Sequence, residues 1–500
     1  MWPQGVCQWL RPKHLQKSKN NMLFFELDFL VIFLLPLLLV VVLLKALGFT
    51  KVLPWLASAS SIAFLYAFST ISVAIALFSL LLNYFVAAYF LKHKSKSLLI
   101  LTVFLNLAVL GYFKYSIFID KTIFTGNSSW SWRVALPLGI SFYTFQQIAF
   151  LADVYKGKVE SFSFKTYILF KLFFPQFVAG PITHFGRVVA SYERWPTFNA
   201  RSIKFGLAIF AVGMTKKLIG DYFGSIANTG FSHQSILSTY EAWASMFAFS
   251  LQIYFDFSGY SDMAVGVARI FGVNLPYNFN SPYKSKSLSD FWRRWHITLS
   301  QWLRDYLYIS LGGSRRGAFN TALALFVTMA LGGLWHGANW TFLLWGVAHA
   351  VALITVRFLG FTAPTVVKQS MVFLFVMLTW ILFRSDSISG ATQHYASLIN
   401  FSNFGLGIEA QRLVNLLVPS FSIDAKFNMP QQLSETAMIL MATLLCFLAP
   451  NSRRLSIWFA ARRVHSAMLI EIPLLVTLII LLSFAFVSPD TANAFIYFEF

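Results

Sequence analysis

Three features of the sequence predict an all-α protein that crosses a membrane many times. Apolar residues make up 57% of the 500, with 55 phenylalanines, while charged residues reach only 12%. A soluble fold of this length lacks the interior to hide so many large side chains. The apolar residues also fall in runs long enough to cross a hydrocarbon core about 30 Å thick. Between the runs sit short basic clusters: Lys92, Lys94 and Lys96; Lys284 and Lys286; Arg293 and Arg294; Arg315 and Arg316; Arg453 and Arg454; Arg462 and Arg463. That is the pattern of cytoplasmic loops under the positive-inside rule. The net charge of +20 therefore points to a membrane and not to nucleic acid. A soluble enzyme, a disordered chain and a disulfide scaffold are excluded. Cys7 and Cys446 lie too far apart in character and position to suggest a disulfide or a metal site.

Residues 1–21 are basic and polar and read as an N-terminal extension ahead of Met22. The apolar run from Met22 to Leu47 has no small-residue cleavage site, so it reads as a retained helix and not a signal peptide. Further apolar runs lie near 55–91, 98–118, 134–152, 166–180, 203–220, 242–257, 319–334, 340–359, 370–384, 435–449 and 468–488. The 55–91 stretch fits one tilted helix or two shorter ones. Roughly ten to twelve spans result, several short or interrupted by Gly and Pro. All are helical, because a backbone facing lipid must satisfy its hydrogen bonds within the segment, and barrel-type alternation is absent. There is no internal repeat and no soluble domain beyond the loop at about 385–434, so residues 22–500 read as one membrane domain.

The stretch from Asn274 to Gly317 mixes seven cations with many Trp, Tyr, Leu and Ile residues. Pro276 and Pro282 break any early helix. Ser289 or Asp290 is placed to cap a helix running through Tyr308, ended by Gly312–Gly313. On such a helix Trp292, Trp295, Leu299 and Trp302 share one face. A helix of this kind suits the cytoplasmic interface or a cavity in the bundle.

Of nine histidines, those at 14, 93, 233, 394 and 465 fall in polar segments or at the ends of runs and read as solvated or interfacial. His184 follows a short run and can line a cavity or not. His349, in LLWGVAHAVAL, reads as a packed helix residue. His336 stands in LGGLWHGANW between two apolar runs. An ionisable group at membrane depth is costly and by default functional. It can be a general base or a structural bridge between two helices, and its chemistry alone leaves both open. Asp256 and Asp262 in FDFSGYSDMA flank a Ser-Gly-Tyr-Ser sequence that reads as a break within a helix, with the carboxylates capping it. No HExxH, no close Cys or His pair and no carboxylate cluster points to a metal. His336 lies twenty residues beyond Arg316, about one bilayer core if helical. His296 adjoins Arg293 and Arg294. The two histidines are therefore expected at opposite ends of one passage.

Six segments together resemble the membrane-bound O-acyltransferase family, in its bacterial alginate- and cellulose-O-acetylation-type branch. They are LPLGISFYTFQQIAFLADVYKG (136–157), FPQFVAGPI (174–182), DFSGYSDMA (256–264), NFNSPYKSKSLSDFWRRWHITLSQWLRDYLYISLGGSRRG (278–317), GGLWHGANWTFLLWG (332–346) and the terminal FIYFEF (495–500). They follow family order over nearly the whole chain and define core motifs at 136–182 and 256–346. The resemblance implies about eleven membrane helices, with short re-entrant helices, around a central conduit. It implies that His336 is the catalytic histidine and that His296 is the second polar position of the site. It also implies donor binding by Lys284, Arg293, Arg294 and Trp295, with acetyl-CoA or another acyl thioester as co-substrate and no bound metal. The family's terminal motif usually has Gln where this chain has Glu499. The implied setting is the bacterial inner membrane, with a polysaccharide acceptor and a separate extracytoplasmic acyltransferase as partner. D-alanyl transfer to a teichoic-acid-like polymer, a non-catalytic scaffold and a transporter are the alternatives.

Overall fold

The computed structural model describes residues 23–26, 28–123, 136–177, 180–193, 200–360, 362–405 and 429–461. The extension over 1–21, the apolar run near 468–488 and the terminal FIYFEF with Glu499 lie outside the described residues. The described elements are helical, and no strand occurs among the described residues. Six helices there are long and apolar enough to span a membrane, or seven if one bent pair counts as a span. The expectation of about eleven is larger, partly because several apolar runs belong to helices too short or too polar to cross unaided.

The chain packs as two compact units. The first holds Met1–Gly206 with Ala264–Pro276, the second Leu207–Met263 with Tyr277–Phe500. In the first lie α1 (Phe29–Ala46), α2 (Leu53–Phe68), α3 (Thr70–Lys92) and α4 (Lys96–Ile123). They are followed by α5 (Ile140–Tyr155), α6 (Phe164–Leu172), the single turn α7 (Phe174–Phe177) and α8 (Phe185–Glu193). The ambiguous 55–91 stretch resolves into α2 and α3. Ser69 leaves the helical region with φ −170° and its side chain accepts from the Ser72 N–H, capping α3.

Inside this unit α3 and α4 are joined by reciprocal amide bonds. Asn83 Nδ2 donates to Asn106 Oδ1 at 3.1 Å, and Asn106 Nδ2 returns the bond to Asn83 Oδ1 at 3.0 Å. Helix α5 is buried along nearly its whole length. Gly139 starts it in the left-handed region at φ +71°, where a methyl would also stand 2.6 Å from the Phe177 carbonyl oxygen. Asp153 near the end of α5 lies 3.8 Å from His184 Nδ1 and 3.5 Å from Lys158 Nζ.

Two long helices, α9 (Ala200–Ser232) and α10 (Thr239–Ile270), carry the second unit's charged interior. The DFSGYSDMA segment is not a break. It is continuous helix, and its glycine serves close packing: methyls on Gly213 and Gly259 would each lie 2.6 Å from the other residue's carbonyl oxygen. The carboxylates are not caps either. Lys217 bridges Asp221 and Asp256, the latter at 2.9 Å, while Lys216 reaches Asp262 at 2.7 Å. Breaking such a buried pair from one side costs about 3–5 kcal/mol, because a charge is left behind.

The remaining elements of this unit are α11 (Leu288–Arg294), α12 (Ile297–Trp302), α13 (Gly317–His336), α14 (Trp340–Leu359), α15 (Thr365–Arg384) and α16 (Ile388–Ile399). After residues 406–428 come α17 (Met429–Leu448) and α18 (Ser452–Ala461). Helices α13 and α14 form a tight hairpin on two glycines. A methyl on Gly333 would meet the Phe342 carbonyl oxygen and stand 3.1 Å from the Gly346 Cα. One on Gly346 would meet the Met329 carbonyl oxygen and stand 3.2 Å from the Ala330 Cα.

His394 departs from the interfacial expectation. It lies with Ala391 and Leu398 on the buried face of α16, its Nε2 is 3.0 Å from the Ala242 carbonyl oxygen, and its ring rests on Phe231 at 4.7 Å. The polar residues around it in sequence occupy the other face. Burial pushes its imidazole down to about 4 from the ordinary 6.5.

Two predictions concern this packing. Gly346→Val should lower stability by about 1–3 kcal/mol through overpacking, read as a reduced melting midpoint in detergent. Gly111→Ala, where the added methyl meets open space, should leave the midpoint in place. The depressed His394 value makes its contribution complete above about 6.5 and lost as pH falls toward about 4. The protection factors of the 388–399 amides, with the intrinsic pH dependence of exchange removed, should therefore fall over that window, and His394→Gln should remove the dependence.

Candidate active site

The sequence places His336 at the last residue of α13, and the residues around it explain why it stays there. Gly337 continues in an extended conformation, and a methyl on it would collide with the Phe342 ring. Asn339 then caps α14, its side chain accepting from the Thr341 N–H at 3.2 Å. The turn is therefore short and fixed. His336 ends up 5% exposed and enclosed by three aromatic rings. Trp335 lies at 5.0 Å, Phe383 at 5.2 Å and Trp345 at 5.3 Å, the last at 90° to the imidazole.

This cage rests on a second layer. Trp345 stacks on Trp380 at 5.6 Å, and Trp380 packs on Trp295 at 5.0 Å. His349 sits beside Trp345 at 4.9 Å and fixes its own ring through Nε2, 3.1 Å from Thr379 Oγ1. The Thr379 hydroxyl donates to the Val376 carbonyl at 2.9 Å, so it accepts from a protonated His349 Nε2. His349 is a packed helix residue, as its sequence context suggested.

His296 was expected inside one helix from residue 289 or 290 to 308. The cap is instead Ser287, two residues before Ser289, its side chain accepting from the Asp290 N–H, and the helix breaks at Trp295–His296. His296 takes left-handed backbone angles, φ 40° and ψ 55°, before α12 begins. Leu303–Tyr308 is wound as a π-helix, and Gly312 and Gly313 with positive φ close the segment. A left-handed histidine persists only where its surroundings hold it. Here the preceding NFN segment does so. The Asn280 N–H donates to the Arg294 carbonyl at 3.0 Å and the Ile297 N–H donates to the Asn278 carbonyl at 2.9 Å, one bond on each side of the break. Asn278 Oδ1 also accepts from the Thr298 hydroxyl at 2.6 Å.

The break turns the His296 ring inward, 4.8 Å from Phe257 and 6.2 Å from Trp335. Burial pushes its imidazole down to about 3, so it is neutral at working pH. Both histidines thus touch one indole, Trp335, and their rings are no farther apart than two steps of 6.2 and 5.0 Å. That is much less than the rise of about 30 Å along twenty-residue α13. They belong to one site and do not stand at two ends of a passage.

The basic positions have separate surroundings. Arg293 is exposed. Arg294 pairs with Asp290 at 2.9 Å within α11. The Lys284 ammonium donates to the Ala449 carbonyl at 2.7 Å, satisfying an orphan group just past the end of α17. Trp295 is buried, stacked on Phe291 at 5.6 Å. Of these four, Arg293 is exposed, Arg294 and Lys284 are half-buried, and Trp295 is buried. Trp335 and Trp345 lie within the GGLWHGANWTFLLWG motif, but nothing in sequence links Phe383 to it. Among the described residues no group of His, Cys, Asp and Glu side chains is arranged to hold a metal ion.

The model of the MBOAT, membrane-bound O-acyltransferase family matches residues 85–383, more than half of the chain, including both histidines. The chain belongs to this family. Similar proteins include a peptidoglycan O-acetyltransferase of Helicobacter pylori, 37% identical over 70% of this chain and 74% of the relative. The probable alginate O-acetylase AlgI of Pseudomonas aeruginosa is 39% identical over 67% of this chain and 68% of its own. The teichoic acid D-alanyltransferase of Bacillus subtilis is 31% identical over 44% of this chain and 59% of its own. The protein is a membrane-bound O-acyltransferase, and its aromatic-caged histidine pair is the candidate active site.

The left-handed angles at His296 give a test of how this acyltransferase builds the site. His296→Asn, a residue that tolerates such angles, should keep the melting midpoint within a few degrees of wild type. His296→Val should lose about 1–2 kcal/mol more through backbone strain, seen as a lower midpoint.

Proposed function

We propose that this acyltransferase moves an acetyl group from a cytoplasmic thioester, most simply acetyl-CoA, toward O-acylation of an extracytoplasmic polysaccharide, with His336 as general base. The observation that carries the reading is the position of His336, at the C-terminal end of α13 inside a cage of Trp335, Trp345 and Phe383. The acceptor oxygen attacks the thioester carbonyl while a His336 ring nitrogen takes the hydroxyl proton. The tetrahedral intermediate then collapses, the C–S bond breaks, and the imidazolium returns the proton to the thiolate.

The site suits the charge that this step creates. A helix C-terminus favours a cation by up to about 2 kcal/mol in partly buried settings, and aromatic faces add cation–π attraction. The cage also keeps bulk water from hydrolysing the thioester. His296, neutral and beside Trp335, orients the donor or donates to the developing oxyanion in this reading. Lys286, Arg293 and Arg294 would draw the phosphates of the donor electrostatically. In this reading the protein works in the inner membrane, and the acyl group passes on to a separate extracytoplasmic transferase. Acetyl is favoured over D-alanyl by the higher identity and wider coverage of the two acetylating relatives.

The test compares cells carrying wild-type protein with cells carrying His336→Ala at equal membrane abundance. Mild alkali should release acetate from wild-type surface polysaccharide, and the variant should lose it by about 100-fold or more. Released D-alanine would transfer the reading to the teichoic-acid type. Equal ester content in both strains would remove His336 from the chemistry.

A further inference from the structure

Helix α18 has its polar and apolar residues the wrong way round for a helix against water. It buries Ser452 and Ser456, one turn apart, against the protein. Its outward face carries Arg453 and Arg454, and one turn further on Ile457 and Trp458, which are 49% and 53% exposed. The buried serines are used. The Ser452 hydroxyl donates to Asp262 Oδ2 at 2.6 Å, and Lys216 donates to the Ser452 hydroxyl oxygen at 2.6 Å. The start of the helix is fixed by Asn451, whose Nδ2 donates to Asn280 Oδ1 at 2.7 Å and whose Oδ1 accepts from the Arg454 N–H at 2.9 Å.

Position along the chain says what covers that face. Helix α18 turns away from α17 by 73° across the break at Ala449–Asn451. Leu448, the last residue of α17, is 76% exposed, as expected of a side chain in hydrocarbon. With α17 along the bilayer normal, a helix turned by 73° lies close to the bilayer plane. At that depth, Arg beside Trp and Ile is the composition of the headgroup boundary.

We propose that α18 is an in-plane interfacial helix that binds anionic lipid. Arg453 and Arg454 pair with headgroup phosphates, while Ile457 and Trp458 sit at the top of the acyl chains. The pins at Ser452 and Asn451 hold the helix to α10 and to the segment that braces His296, so the lipid surface anchors the second unit directly. This site is separate from the His336 cage and does not depend on the reaction assigned there.

A cysteine at 457 (Ile457→Cys, with Cys7→Ser) can carry an environment-sensitive fluorophore, since Cys446 is buried and does not label. The full-length protein is reconstituted in phosphatidylcholine vesicles containing one-third phosphatidylglycerol. Lipids brominated near the headgroup should quench the probe at least about twice as strongly as aqueous iodide. Spin-labelled lipids should show phosphatidylglycerol enriched over phosphatidylcholine around the protein. Arg453→Gln together with Arg454→Gln should reduce that enrichment severalfold, at about fivefold per arginine at most. Quenching by iodide alone, or an enrichment that the double variant leaves unchanged, overturns the proposal. So does a double variant that raises the donor KM equally in neutral and anionic vesicles, since the arginines would then serve the donor and not the lipid.

Discussion

The close crossing of α13 and α14 is the constraint on which the site depends. Gly333 and Gly346 let two backbones approach to a distance that no side chain permits. In a bilayer, where apolar surface gains little by leaving lipid for protein, such close van der Waals packing is a main source of helix association. The approach brings Trp345 from α14 against His336 at the end of α13. Trp380 and Phe383 of α15 then close the cage behind them. A looser crossing would leave the histidine in place but remove the walls that orient it.

Charge is handled in the same unit by a different device. Lys216 and Lys217, adjacent on α9, take Asp262 and Asp256 of α10 separately. Each ion finds an opposite charge without leaving the interior, which is what low dielectric surroundings require. Phe257, next to Asp256, touches the His296 ring. The ion pairs and the site therefore share one helix, and the register of α10 against α9 fixes both.

Much of this was legible in the sequence because membrane helices have few options. Long apolar runs, basic clusters and a histidine at membrane depth announce themselves by composition. What the sequence concealed were features set by tertiary partners. Asp256 and Asp262 suggested caps because Ser-Gly-Tyr-Ser looks like a break, yet the glycine is there for the neighbouring backbone and the helix runs on. The break at His296 was hidden for the opposite reason. The local pattern is helical, and the kink is imposed by hydrogen bonds from Asn278 and Asn280, more than a dozen residues upstream. His394 looked polar by its neighbours, whereas the 3.6-residue period sets its face. The convergence of both histidines on Trp335 could not be read from their separation of forty residues.

The reciprocal amide pair between Asn83 and Asn106 bears on how the chain is made. Only His93, Lys94 and Ser95 separate α3 from α4, and each asparagine both donates to and accepts from the other. Alone in hydrocarbon, either amide would carry an unmet polar group, at a cost of a few kcal/mol. Together they present an apolar exterior. The cheapest way into the bilayer is thus as a preformed helical hairpin, held at the insertion machinery until its second arm has emerged from the ribosome. Biogenesis of the first unit then depends on the timing of synthesis as well as on hydrophobicity, with α3 awaiting α4 before either is released to lipid.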